Sequence, residues 1–262
     1  MARRPVLTTE QDPRVAELRR RLDDFYASTT TYDDFKHAAS SKPDIWAPIQ
    51  RQIEQIIRRK GSADVLEFGA GRTGFPASLG AMRPGVRFVA QDVTPQNADY
   101  LAAVADRVHV GDLSALSGPF DTIFSTFVWE HITNPAATLA HLLRILAPGG
   151  SLFIACPRYD APGYIPPSAR HYPALTRARL ALWLMARRLD RRPRFDIHVD
   201  PAVLERPWFR DADAIHWVRL QDFAAALPEG YRLTRVRLHV RGLKRRLWES
   251  ALLAFVRIDR PD

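Results

Sequence analysis

The apolar positions of the chain change period near residue 60. Before it they fall at helical spacing: Val15, Leu18, Leu22, Phe25 and Tyr26 follow Asp12 and Pro13, which read as an N-cap and a first helical residue. A polar stretch over residues 28–42 leads to a second helix, in which Ile45, Trp46, Ile49, Ile53, Ile56 and Ile57 share one face and Gly61 supplies the stop. These first 60 residues read as an N-terminal helical cap. From residue 63 onward the pattern becomes short apolar runs separated by longer helical stretches: ADVLEF, VRFVAQ, RVHV, FDTIFST and SLFIAC. Such alternation predicts βαβ units around a parallel sheet buried on both faces.

Between the last two runs, Asn134 and Pro135 are expected to cap a helix carrying Leu139, Leu142, Leu143 and Leu146 that stops at the Ala-Pro-Gly-Gly of 147–150. After Cys156 the regularity breaks. Residues 157–214 are rich in proline, aromatic residues and arginine, and an irregular segment of that length reads as a lid or binding insertion. Then RLQDFAAAL reads as a helix, and YRLTRVRLHV and SALLAFVRID as two strands joined by the basic RGLKRRLWE, hence an antiparallel pair. Two units follow from this order: residues 1–60, and an α/β domain over 61–262 that contains the insertion.

Composition narrows the function classes. One cysteine excludes an intrachain disulfide, and no Cys/His spacing suits zinc, so no metal site is read. No signal peptide and no membrane-spanning run is read either, and the expected setting is cytoplasmic. The formal net charge of +9 keeps nucleic acid, membrane surfaces and other anionic partners open. Nucleic acid is the weaker of these, because no Asn-Pro-Pro-Tyr or Pro-Cys nucleobase motif is present.

The first βα turn is VLEFGAGRTGF. Its GAGRTG, Gly69 to Gly74, fits the G-x-G-x-x-G fingerprint of nicotinamide dinucleotide sites, which makes an NAD(P)-dependent oxidoreductase one reading. Glu67 opposes it, since a carboxylate two residues before the first glycine sits close to where a diphosphate would lie. Asp92, twenty-three residues past Gly69, is placed to accept from ribose hydroxyls under either cofactor.

The order of elements, together with FSTFVWEHITNPAATLAHLLRILAPGGSLFIACP, its E-H pair and its Pro-Gly-Gly turn, resembles the class I S-adenosylmethionine-dependent methyltransferases. The resemblance implies a Rossmann-like α/β fold with a seven-stranded, mostly parallel sheet and an antiparallel last strand. It implies S-adenosylmethionine as cofactor, held by Glu67, Gly69, Ala70, Gly71, Arg72, Asp92, Val93, Asp112, Leu113 and Phe127. Glu67 would face the methionine ammonium, and Asp112 would accept from the adenine amine while Leu113 offers its N–H to the ring. A turn or helix cap is the other reading of Asp112, and core packing that of Phe127. The loop departs from the family's E-x-G-x-G-x-G at Thr73, which leaves the parts played by Arg72 and Thr73 open.

Methyl transfer from a sulfonium is an in-line displacement that asks for orientation, a dry site and a deprotonated nucleophile. His131 after the fourth strand is the candidate general base, and Glu130 the residue that orients it or meets a divalent cation. The alternative is that the E-H pair only fixes the loop. His198, Asp200, Asp211, Asp213 and His216 form a second acidic and histidine-bearing stretch that either holds the acceptor or supplies caps and surface ion pairs. In the insertion, residues 174–192 read as an apolar helix with arginines near both ends, either a peripheral membrane contact or a lid or dimer helix. The acceptor read from all this is a small molecule or a glycan or lipid-linked group, methylated on oxygen or nitrogen. A non-catalytic basic module that binds nucleic acid or membrane is the remaining alternative.

Overall fold

The computed structural model describes residues 7–28, 43–161, 163–204, 213–238, 243 and 252–262. The polar 28–42 stretch beyond Ser28, Asp211 and the RGLKRRLWE connection apart from Leu243 lie outside them. In chain order the elements are β1 (Leu7–Thr8), α1 (Pro13–Ser28), α2 (Pro43–Lys60), β2 (Ala63–Phe68), α3 (Phe75–Ser78), β3 (Val86–Asp92), α4 (Ala98–Val104) and β4 (Arg107–Val110). They continue with β5 (Phe120–Thr126), α5 (Pro135–Ile145), β6 (Leu146–Pro157), α6 (Ala174–Arg187), β7 (Ile197–His198), α7 (Leu220–Ala226), β8 (Arg232–Arg235) and β9 (Leu253–Asp259).

Seven strands form one sheet in the order β4-β3-β2-β5-β6-β9-β8. Pairing is parallel from β4 through β6, and β9 runs antiparallel to both β6 and β8. This is the expected mostly parallel sheet with one reversed strand. The chain winds outward from β2 to β3 and β4, then returns across β2 to β5. That reversal opens a crevice at the carboxyl ends of β2 and β5, the place where open α/β sheets hold ligands.

Both faces are covered. On one, Ile45, Ile49, Ile53 and Ile56 of α2 meet Val65, Phe88, Phe124, Phe153 and Phe255 of the strands. On the other, Leu139, Leu142 and Leu143 of α5 pack with Leu66, Ile123, Leu152 and Ile154. Alternation along β2 therefore sends Leu66 and Phe68 to the α5 face, and Val65 and Glu67 to the α2 face. The two helices before residue 60 divide their contacts. While α2 lies on the sheet, α1 packs Val15, Leu18 and Leu22 against Ile197, Ala202, Val203 and Ile215 near the end of the insertion. β1 pairs with β7 beside this contact.

Two local expectations change. The fifth strand starts at Leu146, five residues before the SLFIAC run, and Leu146 pairs with Phe120. The helix before it ends at Ile145, because Pro148 has no N–H to give a continuing helix and the chain is already extended two residues earlier. Asn134 makes no side-chain cap. The Ala136 N–H at that helix start is taken instead, at 2.9 Å, by the carboxylate of Glu10, which suits the positive end of the helix.

The exit from the glycine loop is anchored by Phe75, fully buried with ring centroids 4.4 Å from Phe124 and 5.6 Å from Trp46. Phe75→Ala removes a side chain that the rigid sheet face cannot refill, so urea unfolding should show a loss of about 3–5 kcal/mol with the m-value unchanged.

Candidate active site

A cavity of about 640 Å³ opens in the crevice and is lined by every residue assigned from the sequence: Glu67, Gly69, Ala70, Gly71, Arg72, Asp92, Val93, Asp112, Leu113, Phe127, Glu130 and His131. Its wall also includes Arg19 and Tyr26 of α1, Trp46 of α2, and Tyr159, Tyr164 and Asp213 of the insertion.

The glycine loop is held by side chains from the end of β3. Gly69 N–H donates to Gln91 Oε1 at 3.1 Å, and Gly71 N–H donates to Asp92 Oδ2 at 2.7 Å. Thr94 N–H donates to the other oxygen of Asp92 at 3.1 Å. Two N–H groups that would cradle a diphosphate are thus already engaged, and the helix after the loop, α3, is four residues long. Neither is the anion site that a nicotinamide dinucleotide requires. Gly69 cannot be replaced, because its backbone is left-handed at φ 63° and a Cβ would stand 2.5 Å from the Val128 methyls. Phe127 is held at φ 58° with its N–H donating to Ala155 O at 2.7 Å, a left-handed turn that a non-glycine residue adopts only under constraint.

Glu67 is buried, and its Oε2 has no hydrogen-bond partner among the described residues. Burial pushes its carboxyl up to about 8; a hydrogen bond from Thr73 opposes the rise and the nearby Asp92 charge adds to it. Thr73 therefore has a definite place: the residue standing at the third glycine position is buried, takes the Phe75 N–H on its Oγ1 at 3.1 Å, and supports Glu67. Tyr100 donates to its carbonyl at 2.7 Å. Arg72 reaches Asn97 Oδ1 at 3.3 Å.

Of the two readings weighed for Asp112, the turn cap is present, and its second oxygen is taken by an arginine. Its Oδ1 accepts from Ser114 N at 2.7 Å, capping the turn over Leu113–Ala115, and its Oδ2 accepts from the Arg19 guanidinium of α1. Burial disfavours its charge, but the Ser114 and Arg19 bonds outweigh it and hold the carboxyl at about 2. Arg19 had no signal in the sequence beyond its place on a polar helix face.

The E-H pair sits in the turn Trp129–His131 after β5. The Glu130 carbonyl accepts from Ile215 N at 2.8 Å and His216 N at 2.9 Å, so the end of the insertion is tied directly to this turn. Asp213 is thereby brought to His131, with Oδ2 3.1 Å from Nδ1, and Tyr26 donates to the same carboxylate at 2.8 Å. Glu130 Oε1 lies 3.9 Å from His131 Nε2. Burial alone would lower the imidazole, but the Asp213 charge and hydrogen bond, with Glu130 behind them, raise it to about 10. His131 is therefore an imidazolium at neutral pH, not the neutral base that its position suggests.

Of the other acidic and histidine residues in the insertion, His198 and His216 are buried and held neutral by that burial, at about 3 and about 4. His198 bonds Ser168 and Tyr172 at 3.1 and 3.2 Å, and Asp200 accepts from Tyr172. These residues brace the insertion and do not line the cavity.

A family model described as a methyltransferase domain matches residues 39–227. The chain belongs to the class I S-adenosylmethionine-dependent methyltransferases. Among curated relatives of this family member, a malonyl-[acyl-carrier protein] O-methyltransferase of Paenibacillus sp. (strain JDR-2) is 31% identical over 47% of the chain and 53% of its own length. One of the same name from Hahella chejuensis (strain KCTC 2396) is 28% identical over 44% and 45%. The chain thus spans about half the length of the curated relatives it matches. The 1,6-didemethyltoxoflavin N1-methyltransferase of Burkholderia thailandensis, solved with S-adenosylhomocysteine, shares the fold with a TM-score of 0.53, 17% identity, and coverage of 98% of this chain and 94% of that one.

The residues present fit the family's cofactor. A buried carboxyl with an unsatisfied oxygen at the loop suits an ammonium, and the doubly bonded Asp92 beside it keeps lone pairs for hydroxyl donors.

Glu67 generates a pH dependence. Its carboxyl is raised from 4.5 to about 8 on folding, so the native state holds the proton more tightly than the unfolded chain. The resulting stabilisation is complete below 4.5 and is lost as pH rises through about 8. Urea unfolding across that window should show the wild type losing more stability than Glu67→Gln; identical slopes would assign the titration to another group.

Proposed function

We propose that the chain transfers a methyl group from S-adenosylmethionine to a hydroxyl or amine of a small-molecule, glycan or lipid-linked acceptor seated between α1 and the insertion. The observation that carries this reading is that one cavity runs from Glu67 and Asp92 to a cluster in which two carboxylates, Glu130 and Asp213, surround the single imidazolium of His131. When bound, S-adenosylmethionine supplies a methyl carbon on a sulfonium, open to in-line attack by an acceptor lone pair.

The chain's own part is the proton. A hydroxyl or amine that gains a methyl must lose a hydrogen, and the cluster of Glu130, His131 and Asp213 is the group placed to take that proton up. His131 keeps the two carboxylates apart and aligned, while Tyr26, Tyr159 and Tyr164 wall off water. Glu67 meets the cofactor's ammonium, and Asp92 its ribose. Asp112 exchanges Arg19 for the adenine amine.

The same cluster bears on whether a malonyl group could be the acceptor. A malonyl acceptor presents a third carboxylate to a cluster that already holds two, which costs repulsion in a poorly solvated site.

Three results test the proposal. Calorimetry should show binding of S-adenosylhomocysteine, and its absence would remove the cofactor assignment. Labelled S-adenosylmethionine should methylate hydroxyl- or amine-bearing acceptors, while efficient methylation of a malonyl thioester carboxylate would overturn the acceptor class. Asp213→Asn should lower kcat about a hundredfold with a smaller effect on KM, since it takes one of the two carboxylates from the cluster and returns His131 toward its ordinary 6.5.

A further inference from the structure

Helix α6 has two apolar faces, and only one is used by the fold. Leu180 and Leu184 point inward and are buried. On the opposite side, Leu175 and Leu182 are seven residues apart, which on a helix drifts only about 20° and makes a single stripe, and Leu189 follows in the turn just past the helix end. Their relative exposures are 65%, 65% and 85%, and Met185 at 41% widens the stripe. With Trp183 at 37%, these side chains are five of the nine large hydrophobics left exposed among the described residues. Their concentration on one helix and the turn that follows it is not the scattered exposure that any soluble surface carries.

The rim is cationic. Arg177, Arg179, Arg188, Arg191 and Arg192 are all exposed, and none forms a salt bridge among the described residues. The arginines that serve the fold are different ones: Arg187 pairs with Asp190 and Asp196 and lies 4.7 Å over the Trp183 ring, and Arg194 pairs with Asp190. The helix is thus pinned by one set of side chains, and a separate apolar and basic set is presented outward.

We propose that α6 is a peripheral membrane contact, lying in the plane of an anionic lipid surface with Leu175, Leu182, Met185 and Leu189 at the acyl boundary and the five arginines among the headgroups. At 14 residues it is about 21 Å long, too short to span a bilayer and suited to lying on one. The charge pattern selects this occupant over a second copy of the chain. A symmetric pairing through the stripe would set the arginines of one rim against those of the other, and the net charge of +9 adds to that repulsion.

The test is co-sedimentation of the full chain with vesicles of phosphatidylcholine alone and of phosphatidylcholine with phosphatidylglycerol in equal parts, alongside its mass in solution by light scattering. Binding to the mixed vesicles only, weakening with added salt, is expected. Leu182→Glu should abolish it while leaving the circular dichroism and the unfolding midpoint unchanged, because that side chain is mostly solvated. Arg191→Ala and Arg192→Ala should each weaken it roughly fivefold. Failure to bind the mixed vesicles, equal binding to the neutral ones, or wild-type binding by Leu182→Glu would overturn the proposal. So would a dimer that Leu182→Glu dissociates, which would assign the stripe to a second copy.

Discussion

Glu67 stands on the central strand of a sheet covered on both faces, between Leu66 and Phe68, which turn to the other side. A carboxyl there is out of water, and the chain can hold it only by keeping it protonated or by supplying hydrogen bonds. Much of the surrounding loop meets this constraint. Thr73 bonds to Glu67 from the position where a glycine is usual, Tyr100 and the Phe75 N–H fix Thr73, and Phe75 wedges the whole turn against Phe124 and Trp46. The irregularity of the GAGRTG turn is in this sense the support built around one buried acid.

The second determinant is the hold that residues 213–217 keep on the turn after β5. Two backbone N–H groups bond to the Glu130 carbonyl, and His216 reaches the Trp129 carbonyl at 3.1 Å. These bonds place Asp213 beside His131, and the ion pair then sets the protonation of the imidazole. The insertion is therefore part of the cavity wall. The charge of the E-H turn is set by a residue more than eighty positions downstream.

The sheet was legible because each strand is a short apolar run bounded by glycine, proline or charge, and because the order of runs and helices leaves few topologies. Glu67, Gly69, Gly71 and Asp92 were legible for the same local reason: they sit at the ends of strands whose ends are marked. What remained hidden is long-range charge pairing. His131 and Asp213 are 82 residues apart, Tyr26 and Asp213 are 187, and Arg19 and Asp112 are 93. No local periodicity encodes which surface charge meets which, so Arg19 and Tyr26 read as ordinary positions on an amphipathic helix and His131 as a neutral imidazole. The end of α5 was misplaced by one residue through a related ambiguity, since Leu146 continues the leucine pattern of the helix while its backbone already belongs to the sheet.

Arg19 and Tyr26 lie two turns apart on α1, one bonded to Asp112 and the other to Asp213, both in the wall of the same cavity. The helix that carries both rests on the insertion through Val15, Leu18 and Leu22 rather than on the sheet. Letting go of Asp112 and letting go of Asp213 are consequently displacements of one rigid rod. Any displacement of α1 would therefore be felt at both ends of the cavity at once.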